Sequence, residues 1–144
     1  MIDRGGIADL VNGVAVTSVI APSQRPEPLQ NLALIVWTGQ QHLTRGERLS
    51  AHKYLTQFAV DALLELLRQH AGLLDNPTAD RLDPRRRLEQ CAPAVAAEFE
   101  RALARPLSQV GPALLALAEQ RVRPAAPHLN WAAIAEVRRW LADA

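Results

Sequence analysis

Several features that would narrow the function of the chain are scarce or missing. Cys91 is the only cysteine among 144 residues, so neither a disulfide framework nor a multi-cysteine metal site can be built. The 16 basic and 15 acidic residues leave a net charge of +1, which gives no electrostatic case for nucleic acid or an acidic membrane surface as a partner. Lysine is limited to Lys53, which we attribute to a bias of the lineage.

Long apolar runs are also missing. No stretch approaches 18 consecutive apolar residues, which argues against a membrane-spanning helix. The N-terminus has no long apolar run behind a basic start, which argues against a signal peptide. The sequence therefore predicts a soluble, cytoplasmic protein without a membrane partner.

The common catalytic motifs are absent as well. The sequence contains no P-loop, no glycine-rich nucleotide turn, no Gly-x-Ser-x-Gly and no His-Glu-x-x-His. It also lacks the Asp-x-Asp pair that holds two metal ions for nucleotidyl transfer. Glu98 and Glu100 are two positions apart, which places them on different faces of a helix as separate, solvated charges. We therefore predict no catalytic residues, no metal ligands and no nucleotidyl transfer by this chain alone.

Residues 1–25 differ in composition from the rest of the chain. Asn12-Gly13 lies between apolar residues, and 14–20 is rich in Val, Thr and Ile, so this part is predicted to form a β hairpin or strand remnant followed by a linker. A lone hairpin is marginal in water. It must pack on the rest of the chain, pair with a second copy or belong to a missing domain. We expect pairing in a homodimer, because an exposed strand edge seeks a partner.

Residues 26–144 are predicted to form a bundle of about five to six helices with short linkers. The spacing of apolar residues predicts helices at about 28–45, 49–71, 84–91, 93–104, from 106 or 108 onward, and 131–141. Gly46 is the expected break after the first helix, and Asp83 and Asn130 are predicted N-caps. The predicted fold class is mainly α, a helical bundle with a short N-terminal β segment.

Two polar groups are predicted to be structural. His42, His52, His70 and His128 have no histidine or carboxylate four positions away, so surface or hydrogen-bonded histidines are expected in place of metal ligands. The run 85–87 is three arginines. We expect it to be solvated, with salt links to Glu89 or Asp83.

The densest polar group lies at the junction of the first two long helices, in 44–48 and 50–54. A helix end exposes free carbonyls and the next helix start exposes free N–H groups. Arg45, Glu47 and His52 can therefore cap and bridge the corner, in which case Glu47→Ala would cost about 1 kcal/mol. Alternatively, they line a pocket for a polar ligand, and the same change would cost little stability.

The sequence around this corner resembles a known family. Residues 43–52 read Leu-Thr-Arg-Gly-Glu-Arg-Leu-Ser-Ala-His, and 59–64 read Ala-Val-Asp-Ala-Leu-Leu. Both are similar to the C-terminal helical domain of bacterial nucleotidyltransferases related to aminoglycoside adenylyltransferases. There an Arg-Gly-Glu turn joins two bundle helices and an Ala-Val-Asp-x-Leu-Leu pattern follows. Segments 83–89, 114–119 and 131–140 are similar in the same order, so the resemblance covers about 28–142.

The resemblance implies a substrate-binding and dimerising helical domain that is inactive by itself. The family's catalytic half is a mixed sheet with a Gly-Ser turn and paired aspartates, which binds ATP and Mg²⁺. Neither motif occurs here, so no cofactor is expected on this chain, and residues 1–25 would correspond at most to the last strand of that sheet. The implied substrate-binding residues, which would contact a polar small-molecule acceptor, are Arg45, Glu47, His52 and Lys53.

Two other functions remain open at this level. A helical ribonuclease resembling the HEPN toxins would use a loose Arg-x(4–6)-His pattern, which Arg45 and His52 satisfy. Arg123 and His128 satisfy it equally well, and Gly46 stands where that family usually has a polar residue. The third possibility is a purely structural interaction bundle. RNA cleavage by the purified chain would favour the ribonuclease, and a neighbouring sheet domain with paired aspartates would favour the nucleotidyltransferase.

Overall fold

The structure is a computed structural model that describes residues 27–73 and 82–144. The predicted mainly helical bundle is confirmed, because the described residues form helices and contain no strand. The β segment predicted within 1–25 lies outside the described residues. It stays a prediction, together with the homodimer inferred from it.

The described residues form seven α-helices. They are α1 (Pro28–Thr44), α2 (Arg48–Lys53), α3 (Ala59–His70), α4 (Leu88–Cys91), α5 (Pro93–Leu103), α6 (Leu107–Arg121) and α7 (Trp131–Asp143). A π-helical turn, Tyr54–Phe58, joins α2 to α3, so that 48–70 is one continuous helix. None of these helices has the length and apolarity needed to cross a bilayer.

Three details predicted from the sequence are wrong. Residues 84–87 form turns and only Leu88–Cys91 is helical, because the Arg85 N–H donates to the Asp83 side chain (3.1 Å) and Arg87 has a left-handed φ of 64°. Asn130 precedes α7, but its side chain makes no capping hydrogen bond. Trp37 and Phe58, which the apolar spacing of the first two predicted helices places on their buried faces, are 39% and 37% exposed.

Buried side chains from α1, α3, α5, α6 and α7 form one hydrophobic core, which also includes the π-helical turn between α1 and α6. Leu55 of this turn is fully buried and faces a glycine on each neighbouring helix. A Cβ at Gly39 of α1 would lie 2.7 Å from the Leu55 side chain, and one at Gly111 of α6 would lie 2.8 Å from Val36. Because real Cβ contacts are longer than this, the two glycines are what allows the three segments to approach so closely.

A buried glutamine completes the backbone hydrogen bonding of α6. Pro112 lies inside this helix and has no N–H to donate to the Ser108 carbonyl, four residues earlier. The Nε2 of Gln40, a residue only 8% exposed, donates to that carbonyl over 2.9 Å. Gln40 thus replaces the donor that the proline removes, and it ties α1 to α6.

The Arg85 side chain also bonds to a backbone carbonyl, in this case one of the π-helical turn. The Ala59 N–H bonds to the Tyr54 carbonyl, five residues back, so the usual α-helical pairing is shifted at this point. Arg85 donates to the Gln57 carbonyl over 2.8 Å and to the Asp61 carboxylate over 2.8 Å. The Arg85 side chain therefore bonds to Gln57 and Asp61 of the long helix, and not to Glu89 or Asp83 as predicted.

The Glu98 side chain was expected to be solvated, but it is only 15% exposed and holds α5 to α6. Its two oxygens accept hydrogen bonds from Arg121, at 2.9 and 2.6 Å. These bonds, and to a lesser extent the positive charges of Arg121 and Arg101, lower the pKa of Glu98 against the opposing effect of burial. Glu100 on the other face is exposed, as the spacing predicted.

The lowered pKa makes the contribution of this pair dependent on pH. A carboxylate whose pKa is lower in the folded than in the unfolded chain stabilises the fold above the unfolded value, and this stabilisation is lost as the pH falls through the folded value. We expect Glu98→Gln to lower the free energy of unfolding by about 1 kcal/mol at pH 7, since water screens the 37% exposed Arg121. The difference from the wild type should shrink as the pH falls from about 5 through the lowered pKa.

Urea unfolding at a series of pH values measures this difference. Glu136→Gln is the matched control, because Glu136 pairs with Arg139 on the surface with both side chains about two-thirds exposed. It should change stability little at any pH. A Glu98→Gln effect that persists unchanged in acid would contradict the prediction.

Candidate functional site

The corner between α1 and α2 is a glycine-terminated helix end. Gly46 has a φ of 78°, a left-handed value that glycine adopts without steric strain. The Gly46 N–H bonds to the Leu43 carbonyl (3.0 Å) and the Glu47 N–H to the His42 carbonyl (2.9 Å), the two bonds of a Schellman motif. Glu47 is at the same time the N-cap residue of α2, so the chain reverses within three residues.

This turn brings His42 and Glu47 together. The Glu47 side chain does not cap α2; its carboxylate instead bonds to Nδ1 of His42. The imidazole is mostly covered, with 21% of the side chain exposed, and the carboxylate is 47% exposed. Since the carboxylate accepts, Nδ1 carries the proton, and Nε2 of the neutral ring is left as an acceptor.

Aromatic side chains support the pair from the π-helical turn. The His42 ring lies 5.1 Å from the ring of Tyr54, which meets Phe58 edge to face at 5.2 Å. Lys53 places Nζ over the Phe58 ring at 5.3 Å, a distance at which a cation is attracted to the ring face. A continuous row of contacts thus runs from Glu47 through three rings to the ammonium group of Lys53.

The four predicted site residues share the corner without contacting one another. Glu47 pairs with His42, and Lys53 lies against Phe58. Nδ1 of His52 lies 3.2 Å from the Thr56 hydroxyl. Arg45 is exposed, and its side chain forms no hydrogen bond or ion pair with any residue that the structure describes.

His42 and Tyr54 were not predicted as site residues. A carboxylate four positions from a histidine is the spacing expected on one helix face, whereas the Schellman turn brings together side chains that are five positions apart. Gly46 was the feature of the sequence that could have indicated the pair. His42 lies four residues before this glycine and Glu47 directly after it, so they occupy the two ends of a Schellman motif. Tyr54 offered no comparable signal, since its place beside His42 depends on the π-helical turn.

Within the described residues, no three His, Cys, Asp or Glu side chains are arranged to hold a metal ion, at the corner or elsewhere. A cavity of about 350 Å³ opens beside the last turn of α1, between Thr44, Ser108 and Trp140. None of the four predicted site residues lines it, and the Glu47 carboxylate that bonds to His42 is half-exposed.

The Arg45 and His52 side chains of the ribonuclease alternative form no hydrogen bond with each other, and His52 lies against the Thr56 hydroxyl. The second match to that pattern is similar, because Arg123 lies 5.7 Å from the Trp131 ring and His128 lies against His70 with ring centres 6.3 Å apart. Comparison of the chain with models of known protein families, with curated proteins and with solved structures finds no match. The corner geometry and the sequence resemblance therefore carry the functional proposal.

Proposed function

We propose that the chain is the acceptor-binding helical domain of a nucleotidyltransferase-like protein, and that the corner of Glu47 and His42 contacts a polar small-molecule acceptor. The observation that carries the proposal is the pairing of these two side chains on the Arg-Gly-Glu turn at 45–47. In this proposal ATP and its magnesium ion are held by a catalytic domain of the same protein, and two copies of the chain associate as a dimer.

The chemistry of the pair suits an acceptor hydroxyl or ammonium group. A half-exposed carboxylate accepts hydrogen bonds from either group. When the His42 ring is neutral, the bond from Nδ1 to Glu47 fixes the tautomer in which Nε2 is an acceptor. The pair therefore binds a hydroxyl by hydrogen bonding and offers a base of the right type when that hydroxyl attacks a nucleotide phosphate.

The neighbouring side chains fit a ligand with several polar groups. Lys53 and His52 are exposed on the first turns after the corner, and Arg45 is exposed just before it. Because Glu47 has a counter-charge only when His42 is protonated, the surface can take a cationic amine at Glu47 as well as an anionic or hydroxyl group near Arg45. This mixture favours a polyhydroxylated amine over a purely acidic or apolar ligand.

The proposal is tested by titrating the chain with a panel of aminoglycosides and simple polyols while following the NMR signals of the His42 ring. We expect a saturable shift with at least one aminoglycoside. Glu47→Gln should weaken that binding at least tenfold, because the loss of a charged hydrogen bond costs about 1.5–3 kcal/mol. The fold should tolerate this change, since a half-exposed pair contributes little to stability.

Glu136→Gln is the matched control, because it removes a surface carboxylate of α7 that is 70% exposed. It should bind the same compound as the wild type does. Binding that is equal in Glu47→Gln and the wild type would overturn the proposal, and so would the absence of any His42 shift at millimolar concentrations. RNA cleavage by the chain, lost in His52→Ala, would establish the ribonuclease alternative instead.

A further inference from the structure

A second polar surface lies where α5, α6 and α7 surround a cleft of about 450 Å³. Three arginines line it: Arg101 on α5, Arg105 just past the end of that helix, and Arg138 on α7. This volume lies within the range of small-molecule sites, about 300–1,000 Å³. No residue of the corner lines the cleft, so the two surfaces are separate.

Two of these arginines take part in no ion pair with the residues that the structure describes. Arg138 bonds to the Glu119 carboxylate. Glu98, the acidic residue that lines the cleft, accepts hydrogen bonds from Nε and Nη2 of Arg121. Arg101 and Arg105 are exposed, and neither forms an ion pair or a side-chain hydrogen bond within the described part of the chain. The described residues that line the cleft thus carry two more positive than negative charges, and the two unpaired arginines are four residues apart.

The α6 side of the cleft is apolar. Ala113, Ala116 and Leu117 of α6 line the cleft opposite the α5 arginines, and Gln120 adds a neutral hydrogen-bonding group. Guanidinium groups bind phosphate oxygens through parallel N–H donors. A phosphate monoester carries a charge of about −1.5 to −2 at pH 7, which matches two guanidinium groups, whereas the methyl groups suit the organic part of the ester.

We propose that this cleft binds a small organic phosphate monoester, with its phosphate between Arg101 and Arg105 and its organic part against α6. The site is independent of the acceptor corner. Arg138 is already paired and closes the cleft on the side of α7. Gln120 accepts a hydrogen bond from a hydroxyl of the organic part or donates one to it.

Isothermal titration of the chain with glucose 6-phosphate and AMP tests the proposal, with glucose, adenosine and inorganic phosphate as separate arms. At least one ester should bind more tightly than inorganic phosphate, and glucose and adenosine should not bind. Arg101→Gln and Arg105→Gln should each weaken ester binding at least tenfold. Added salt should weaken it in the wild type, because both arginines are exposed.

Three variants serve as controls. Arg139→Gln removes an exposed arginine of α7 that is paired with Glu136, and it should leave ester binding unchanged. Ala116→Trp fills the cleft from an exposed position of α6 and should abolish ester binding while the helical circular dichroism is retained. Glu47→Gln should bind the ester as the wild type does, which separates this site from the acceptor corner.

The proposal is overturned if neither ester binds at millimolar concentration, or if binding is unchanged in both Arg101→Gln and Arg105→Gln. Equal affinity for inorganic phosphate and for both esters would also overturn it, because the apolar wall would then contribute nothing.

Discussion

Leu55→Ala is expected to lower the free energy of unfolding by about 2–5 kcal/mol, the range for truncation of a fully buried leucine. Gly39→Ala should lower it by about 1–2 kcal/mol, because overpacking outweighs the better helix propensity of alanine. The two changes should not add. Leu55→Ala removes the Cγ and Cδ2 atoms that lie 2.7 Å from a Cβ at position 39, so Gly39→Ala should cost close to nothing in that background.

Urea unfolding of the wild type, both single variants and the double variant gives the coupling energy. Leu49→Ala is the control for the loss of a leucine from the same long helix, because Leu49 is 90% exposed and its truncation should change stability little. Additive effects of Leu55→Ala and Gly39→Ala would show that the close approach of α1 to the π-helical turn does not limit the size of residue 39.

Gln40→Met is expected to lower the free energy of unfolding by about 1–3 kcal/mol, because it leaves the Ser108 carbonyl without its side-chain donor. Methionine keeps nearly the volume of glutamine, so the lost packing is small. In a Pro112→Ala background, residue 112 has an N–H that can donate to the same carbonyl. The cost of Gln40→Met should then fall by at least half.

Thermal and urea unfolding of the four combinations measure this interaction. Gln41→Met is the matched control on the same helix, since the side chain of Gln41 makes no hydrogen bond to another described residue. It should leave stability nearly unchanged. If Gln40→Met costs the same with proline and with alanine at 112, the glutamine does not act as the substitute donor for α6.

The helices that could be predicted from the sequence are those whose apolar stripe is regular and whose ends carry a glycine or proline. Gly46 and Pro93 marked helix boundaries that the structure confirms. The burial of Gln40 could not be predicted, because its acceptor lies 68 residues away and glutamine on a helix is usually exposed. The helix predicted at 84–91 begins only at Leu88, because the Asp83 side chain forms a local turn that competes with the helix.

The candidate site was predictable only in part. The polar density at 44–54 and the Arg-Gly-Glu turn gave the place, and Glu47 lies there with an exposed carboxylate. The partner of Glu47 depended on the path of the backbone through Gly46, which local composition does not specify. The row of rings behind it depended on the π-helical turn, whose extra residue leaves the apolar spacing of 59–67 unchanged.

That extra residue has an evolutionary consequence. Each residue of a helix turns the following side chains by about 100°, and a π-helical turn is equivalent to one residue inserted into an α-helix. Loss of a single codon between Tyr54 and Phe58 would therefore leave a plain α-helix, with α2 and α3 still facing the sides of the bundle that they face now. The same loss elsewhere in the long helix would turn His52 and Lys53 by about 100° relative to Leu63, Leu66 and Leu67. The π-helical turn is thus the place where this helix can change its length by one residue without moving the corner relative to the core.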